Sequence, residues 1–214
     1  MKVNKVCFGG LGLAMLILFS SCVEVNERIF PGKKGRGELT LEIGLTYFQL
    51  FADTVEWQEK VQKPLEELNE YLSDRRGISE VQTSISSEEG KISLSLKYSS
   101  IEELNVALTY VYLGDTVSIF PFFEQLDGQW IRNHPPNLGT KVTERWQEVL
   151  EKRMQPEDQA AMKFRYITKL KEAIGLVYAP FPTQIFEKDN EVHVELSSLN
   201  LFGSEEGQVK ILTN

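Results

Sequence analysis

The sequence predicts an α+β fold: an antiparallel sheet that opens with a split βαβ, ferredoxin-like arrangement and closes with an extra C-terminal helix and strands. Two observations predict it. Apolar residues alternate with polar ones at 39–45, 81–85, 92–98 and 192–196, the mark of half-buried strands, while apolar residues at helical spacing fill 57–72 and 104–111. The resulting order of strand, helix, hairpin, helix is that of a split βαβ unit awaiting one more strand.

Residues 1–21 read as an export signal and stand apart from that fold. Lys2 and Lys5 precede an apolar stretch from Val6 to Phe19, and Ser20 and Ser21 close it before Cys22. The stretch is shorter than the about 20 apolar residues that cross a bilayer. Residues 22–37 contain Pro31-Gly32 and Gly35-Arg36-Gly37, which break regular structure, and read as a flexible tether. Deleting Val25 to Lys34 is therefore expected to leave folding intact. A single α+β domain is expected over 38–214.

Within it, Leu39, Leu41, Ile43 and Leu45 give the first strand. Asp53 or Thr54 caps a helix in which Trp57, Val61, Leu65, Leu68 and Leu72 recur up to Gly77. Pro64 lies inside it and predicts a kink near Lys60 or a break into two helices. Val81, Thr83 and Ile85 pair with Ile92, Leu94, Leu96 and Tyr98 around the turn residues 87–90. Ser100 and Glu103 have capping-box spacing, and the helix they open runs through Leu104, Ala107, Leu108 and Val111. A fourth strand is expected between Thr116 and Arg132, and Asn133–Asn137 reads as a loop. A helix from about Lys141 to Met154 turns Val142, Trp146, Val149 and Leu150 inward. Strands at 164–170, 183–188 and 191–196 and a short edge strand at 208–212 complete the chain.

Composition narrows the function. Net charge is −8 over the whole chain, and without residues 1–21 there remain 21 basic against 31 acidic residues. Such a body is a poor partner for nucleic acid or anionic headgroups. The one basic run, Lys33-Lys34-Gly35-Arg36, reads as solvated linker able to brush headgroups. His134 and His193 are the only histidines, and no His pair, Cys pair or Asp-rich loop has metal-ligand spacing, so no metal and no cofactor is expected. Nothing local sets a nucleophile beside a base, and the chain is read as not an enzyme. Adjacent acids such as Glu66-Glu67, Glu88-Glu89 and Glu102-Glu103 read as solvated faces. Aromatic residues and prolines concentrate in Ile119–Phe123 and Tyr178–Pro182. Phe120, Phe122, Phe123, Tyr178 and Phe181 are therefore candidate ligand or partner contacts, and core-lining connections are the plainer account.

Leu18-Phe19-Ser20-Ser21-Cys22 resembles the bacterial lipobox. The resemblance implies cleavage before Cys22, a diacylglyceryl thioether on its sulfur and an N-acyl chain such as palmitate, enough hydrocarbon for stable attachment. Cysteine usage agrees: Cys7 leaves with the signal, and Cys22 has no disulfide partner. A conventional signal peptide followed by a chance cysteine is the plainer alternative. Further along, Gly77-Ile78-Ser79-Glu80-Val81, Ile92–Tyr98 and Ile101–Leu108 resemble, in this order, segments of a family of small lipoproteins of Bacteroidota. Phe181-Pro182-Thr183-Gln184-Ile185 with Val192 and Val194 is similar to that family's C-terminal strand pair, so the resemblance covers Glu38 to Leu199. It implies an envelope lipoprotein and no reaction.

The expectation is a membrane-anchored, non-enzymatic binding or assembly module. The alternative is a carrier or sensor of a small apolar ligand such as a lipid, held in a cleft between sheet and helices. Expected partners are the membrane through the anchor and an envelope protein or apolar ligand, with no nucleic acid. Val23 behind the cysteine implies, by the same resemblance, delivery to the outer membrane, and the sparse acids Glu24 and Glu27 imply its periplasmic face.

Overall fold

The structure is a computed structural model and describes residues 23–45, 55–86, 88–115, 117–126, 128–142, 144, 163–179, 184–188, 190–196 and 207–213. Strands β1 (Val23–Pro31) and β2 (Gly37–Leu45) form an antiparallel hairpin across a short helical turn at Lys33–Gly35. Helix α1 (Val55–Ser73) leads into the hairpin β3 (Ile78–Ser86) and β4 (Lys91–Tyr98). Helix α2 (Ile101–Leu113) leads into a third hairpin, β5 (Phe123–Leu126) and β6 (Gln129–His134). Residues 138–142 are helical. The described chain ends with β7 (Lys163–Lys169), β8 (Ile174–Tyr178), β9 (Gln184–Lys188), β10 (Glu191–Leu196) and β11 (Gly207–Thr213).

Two sheets result. The larger runs β3-β4-β2-β1-β7-β10-β9 and the smaller β5-β6-β11-β8. Among the described strands only β1 and β7 run parallel to each other, so the long connection between them crosses over. Period-two alternation gives the larger sheet two unlike faces. Val25, Glu27 and Ile29, Leu39, Leu41 and Ile43, Ile92, Leu94 and Leu96, Phe164 and Tyr166, and Val192, Val194 and Leu196 are buried on one face. Val61, Leu65 and Leu72 of α1, Leu104, Ala107 and Leu108 of α2, and Trp130, Val209 and Ile211 of the smaller sheet share that core. Tyr71 of α1 stacks on Tyr110 of α2 with ring centroids 3.8 Å apart. The opposite face is polar and wet. There Arg165 lies 3.4 Å from Glu24 and 2.9 Å from Glu195, Lys97 reaches Glu80 at 2.7 Å, and Arg28 lies 3.8 Å from Glu42. Exposed pairs of this kind contribute about 0–1 kcal/mol each and mainly keep the face soluble.

Several expectations are corrected. Residues 23–37 are not a tether: β1 is paired on both sides in the middle of the seven strands, with Val25 and Ile29 almost fully buried. Deleting Val25 to Lys34 would remove a central strand, so the expected tolerance fails. The alternation of β1 was present in the sequence, but its inward position 27 holds a glutamate, which reads as surface until its partner is known. The ferredoxin-like arrangement is not what the sheet contains. β3, β4 and β2 lie in the order of a split βαβ unit, and the fourth place is held by β1. The segment expected to fill it instead forms β5 and β6 of the second sheet. Asn133 and His134 belong to β6 and not to a loop, and β11 is interior to its sheet and not an edge. α1 runs unbroken through Pro64. Ser100 caps α2 as expected, accepting from the Glu103 N–H at 3.3 Å, and Gly114 ends it at φ 66°. Of the helix expected from Lys141, residues beyond 144 lie outside the described part.

Candidate functional site

At one end of the larger sheet, five strands finish together around a cavity of about 1030 Å³, the upper end of the range for small-molecule sites. Local sequence shapes each wall. The Gly32 N–H donates to the Arg36 carbonyl at 2.5 Å and closes the β1–β2 turn. Gly37 opens β2 opposite Tyr98. A Cβ there would strike the Tyr98 hydroxyl and lie 2.5 Å from the Phe30 carbonyl oxygen, so only glycine lets the tyrosine ring cross the strand. Gly77, at φ +99°, brings the start of β3 against Ser99. Across the cavity the Leu170 N–H donates to the Asn190 carbonyl at 2.8 Å, and the Asn190 side-chain amide donates back to the Leu170 carbonyl, tying the end of β7 to the start of β10.

The charge here opposes that of the protein. Arg36, Lys97, Lys169 and Lys171 line the cavity against the single acid Glu38. Lys97 is paired with Glu80 at 2.7 Å and Lys169 with Glu191 at 3.7 Å. Arg36 and Lys171 are exposed and have no partner among the described residues. Tyr98 is buried, its hydroxyl has no hydrogen-bond partner among the described residues, and burial followed by the nearby Glu38 pushes its pKa well up. It is therefore a neutral donor at any physiological pH. A smaller cavity, about 570 Å³, lies over the start of α2 between Lys34, Asn105, Phe123 and Leu126.

A second polar group is fully enclosed between the sheets. Glu27 of β1 accepts from Arg132 of β6 through both carboxylate oxygens, Nε to Oε1 and Nη2 to Oε2, each at 2.9 Å. Tyr112 of α2 donates to Glu27 Oε2 at 2.6 Å. The Arg132 guanidinium lies 4.5 Å from the Tyr166 ring centroid and 4.8 Å from those of Phe122 and Phe123. Burial is the largest influence and opposes its charge, but Glu27 together with Tyr166 and Tyr112 more than offsets it, so its pKa stays above the ordinary value. His134 is held neutral because burial, then the Arg132 charge, lowers its pKa well below normal. Its Nδ1 shares a hydrogen bond of 2.6 Å with the Tyr166 hydroxyl, which burial also holds neutral. With Glu27 and Arg132 1 and 3% exposed, this group clamps sheets and helix together and is closed to a substrate.

Of the aromatic residues singled out in the sequence, Phe120 and Phe122 meet with ring centroids 4.8 Å apart, and Phe123 lines the smaller cavity. Phe122 and Phe123 are core residues beneath Arg132, and Phe120 is half-buried. Helix α2 holds this segment by its backbone: Asn105 accepts from the Phe123 N–H at 2.7 Å and donates to its carbonyl at 2.9 Å, and Thr109 accepts from the Phe120 N–H at 3.0 Å. Tyr178 is exposed on the edge strand β8. Phe181 and Cys22 lie outside the described residues. Neither cavity is lined by Phe120, Phe122 or Tyr178. The basic cavity escaped sequence reading because its cations come from separate strand ends, and only the run at 33–36 hinted at it. Among the described residues no three His, Cys, Asp or Glu side chains gather as a metal site requires, and no helix is long and apolar enough to cross a membrane.

Fold and site together define a two-sheet α+β domain with a buried ion pair at its centre and a basic cavity at one sheet end. No protein-family model matches the chain, and no curated protein matches it. Among solved structures it is similar to the folded domain of the LppM protein of Mycobacterium tuberculosis, determined by NMR, at 10% identity and a TM-score of 0.42 over 100% of this chain and 97% of that one.

Proposed function

We propose that this chain is a lipoprotein anchored through Cys22, whose domain acts by binding and not by catalysis and sits against the membrane without a tether. The observation that carries the reading is the junction. The lipobox-like stretch ends at Cys22, and strand β1 begins at Val23. A lipid on Cys22 then holds the sheet end that bears Val23, Leu45 and Lys163 at the bilayer surface. The basic cavity lies at the other end of β1, nine residues away, or about 30 Å at the rise of a strand. Outer-membrane delivery with the domain in the periplasm remains the expected address. A second reading, a carrier of a small apolar ligand, draws on Phe30 and Pro31, which border the same cavity.

Substituting Cys22→Ala should abolish palmitate incorporation and membrane retention, and label persisting in that variant would refute the anchor. Proteinase added to intact cells should leave the domain uncut, and digestion without lysis would place it on the outside.

A further inference from the structure

We infer that the basic cavity is an oxyanion site, which takes the phosphate or carboxylate group of a small soluble ligand. The argument starts from sign. In a chain of net charge −8, four cations converge against one acid on a single concave surface. Two of the four serve the fold, because Lys97 and Lys169 are engaged by Glu80 and Glu191. Arg36 and Lys171 are not engaged among the described residues, so their charge is available to something else. Arg36 supplies the planar fork that binds an oxyanion through two parallel bonds, and Lys171 supplies a second charge from the far wall.

The floor fits the same ligand. Glycines at 32, 37 and 77 let the Arg36 backbone, the Tyr98 hydroxyl and Ser99 pack close against the wall. Ser79 and Ser99 add hydroxyls, and the Tyr98 hydroxyl at the cavity border is a buried donor with no acceptor among the described residues. Volume selects a small molecule over a macromolecule, and the acidic body repels a polyanion such as nucleic acid. That the ligand is soluble rests on the proposed anchor at Cys22, which turns the cavity away from the bilayer. The anion chemistry does not depend on it.

The test uses the full chain in nanodiscs of zwitterionic phosphatidylcholine, titrated calorimetrically with phenyl phosphate, benzoate and neutral benzyl alcohol. At least one anion should bind and benzyl alcohol should not. A preference for phenyl phosphate assigns a phosphate ligand, and a preference for benzoate a carboxylate. Arg36→Gln and Lys171→Gln should each weaken binding about tenfold, the loss of one charge-assisted contact. Lys91→Gln, at the opposite sheet end, should leave binding unchanged. All three positions are on the surface, and an unchanged unfolding midpoint shows that the fold is intact. The inference is overturned if neither anion binds, if benzyl alcohol binds as tightly, or if the double variant R36Q/K171Q retains full affinity. Palmitate label persisting in Cys22→Ala, with anion binding preserved, would overturn the anchor and leave the site standing.

Discussion

Arg132→Met tests the central claim about how this fold is held. The side chain to be removed is 3% exposed, makes two bonds of 2.9 Å to Glu27 and lies within 5 Å of three aromatic ring centroids. Methionine fills much of the volume and keeps contact with the rings, so the main loss is electrostatic. Glu27, 1% exposed, would keep only the Tyr112 hydroxyl at 2.6 Å. Breaking a buried pair by removing one member costs about 3–5 kcal/mol, a large share of the about 5–15 kcal/mol that stabilises a typical domain. The double variant Glu27→Leu/Arg132→Met removes both charges and leaves the Tyr112 hydroxyl without its acceptor, a penalty of about 1–3 kcal/mol. It should therefore recover much of the loss, and adding Tyr112→Phe should recover more. Urea unfolding at neutral pH measures all three, and the multiple variants keep the test open where the single one fails to fold. A cost below about 1 kcal/mol for Arg132→Met, or a double variant no more stable than the single, would refute the reasoning.

Two further outcomes follow from the same core. Asn105→Ala strands the Phe123 N–H and carbonyl, now bonded at 2.7 and 2.9 Å, and should cost about 2–3 kcal/mol, a drop of about 4–12 °C in the thermal midpoint; an unchanged midpoint would remove Asn105 from its bracing role. His134, held neutral by burial and then by Arg132, binds its proton more readily when unfolded, so its contribution is complete above about pH 6.5 and is lost as pH falls, at up to about 1.4 kcal/mol per pH unit. His134→Phe should flatten that slope between pH 7 and 5, and equal slopes in the two proteins would contradict it.

What the sequence revealed and what it hid divide along one physical line. β2, β4 and β10 were legible because each places aliphatic residues at every second position against one core, and Ser100 was legible because a helix cap is a contact within three residues. Strand β1 has the same alternation, Val25, Glu27, Ile29, but reads as a tether because Pro31-Gly32 and Gly35-Arg36-Gly37 follow it and the charge at its middle inward position masks the strand. Glu27 becomes a core residue only when Arg132, 105 residues later, neutralises it, and no window along the chain contains both. β8 was missed for the opposite reason: an edge strand with Leu176 and Tyr178 exposed buries too little to leave a period. Phe122 and Phe123 carry a strong signal with two meanings: both are buried, and Phe123 also lines the smaller cavity. The cavity depends on the same kind of information. Arg36 and Lys171 stand 135 positions apart, and they line one cavity only because β1 runs parallel to β7, which brings the turn after one strand beside the end of the other. In this chain, local periodicity marks where apolar area is buried, whereas the charges that hold the core and line the cavity are paired by topology. A reading of β1 as linker therefore loses the clamp, the strand and the site together.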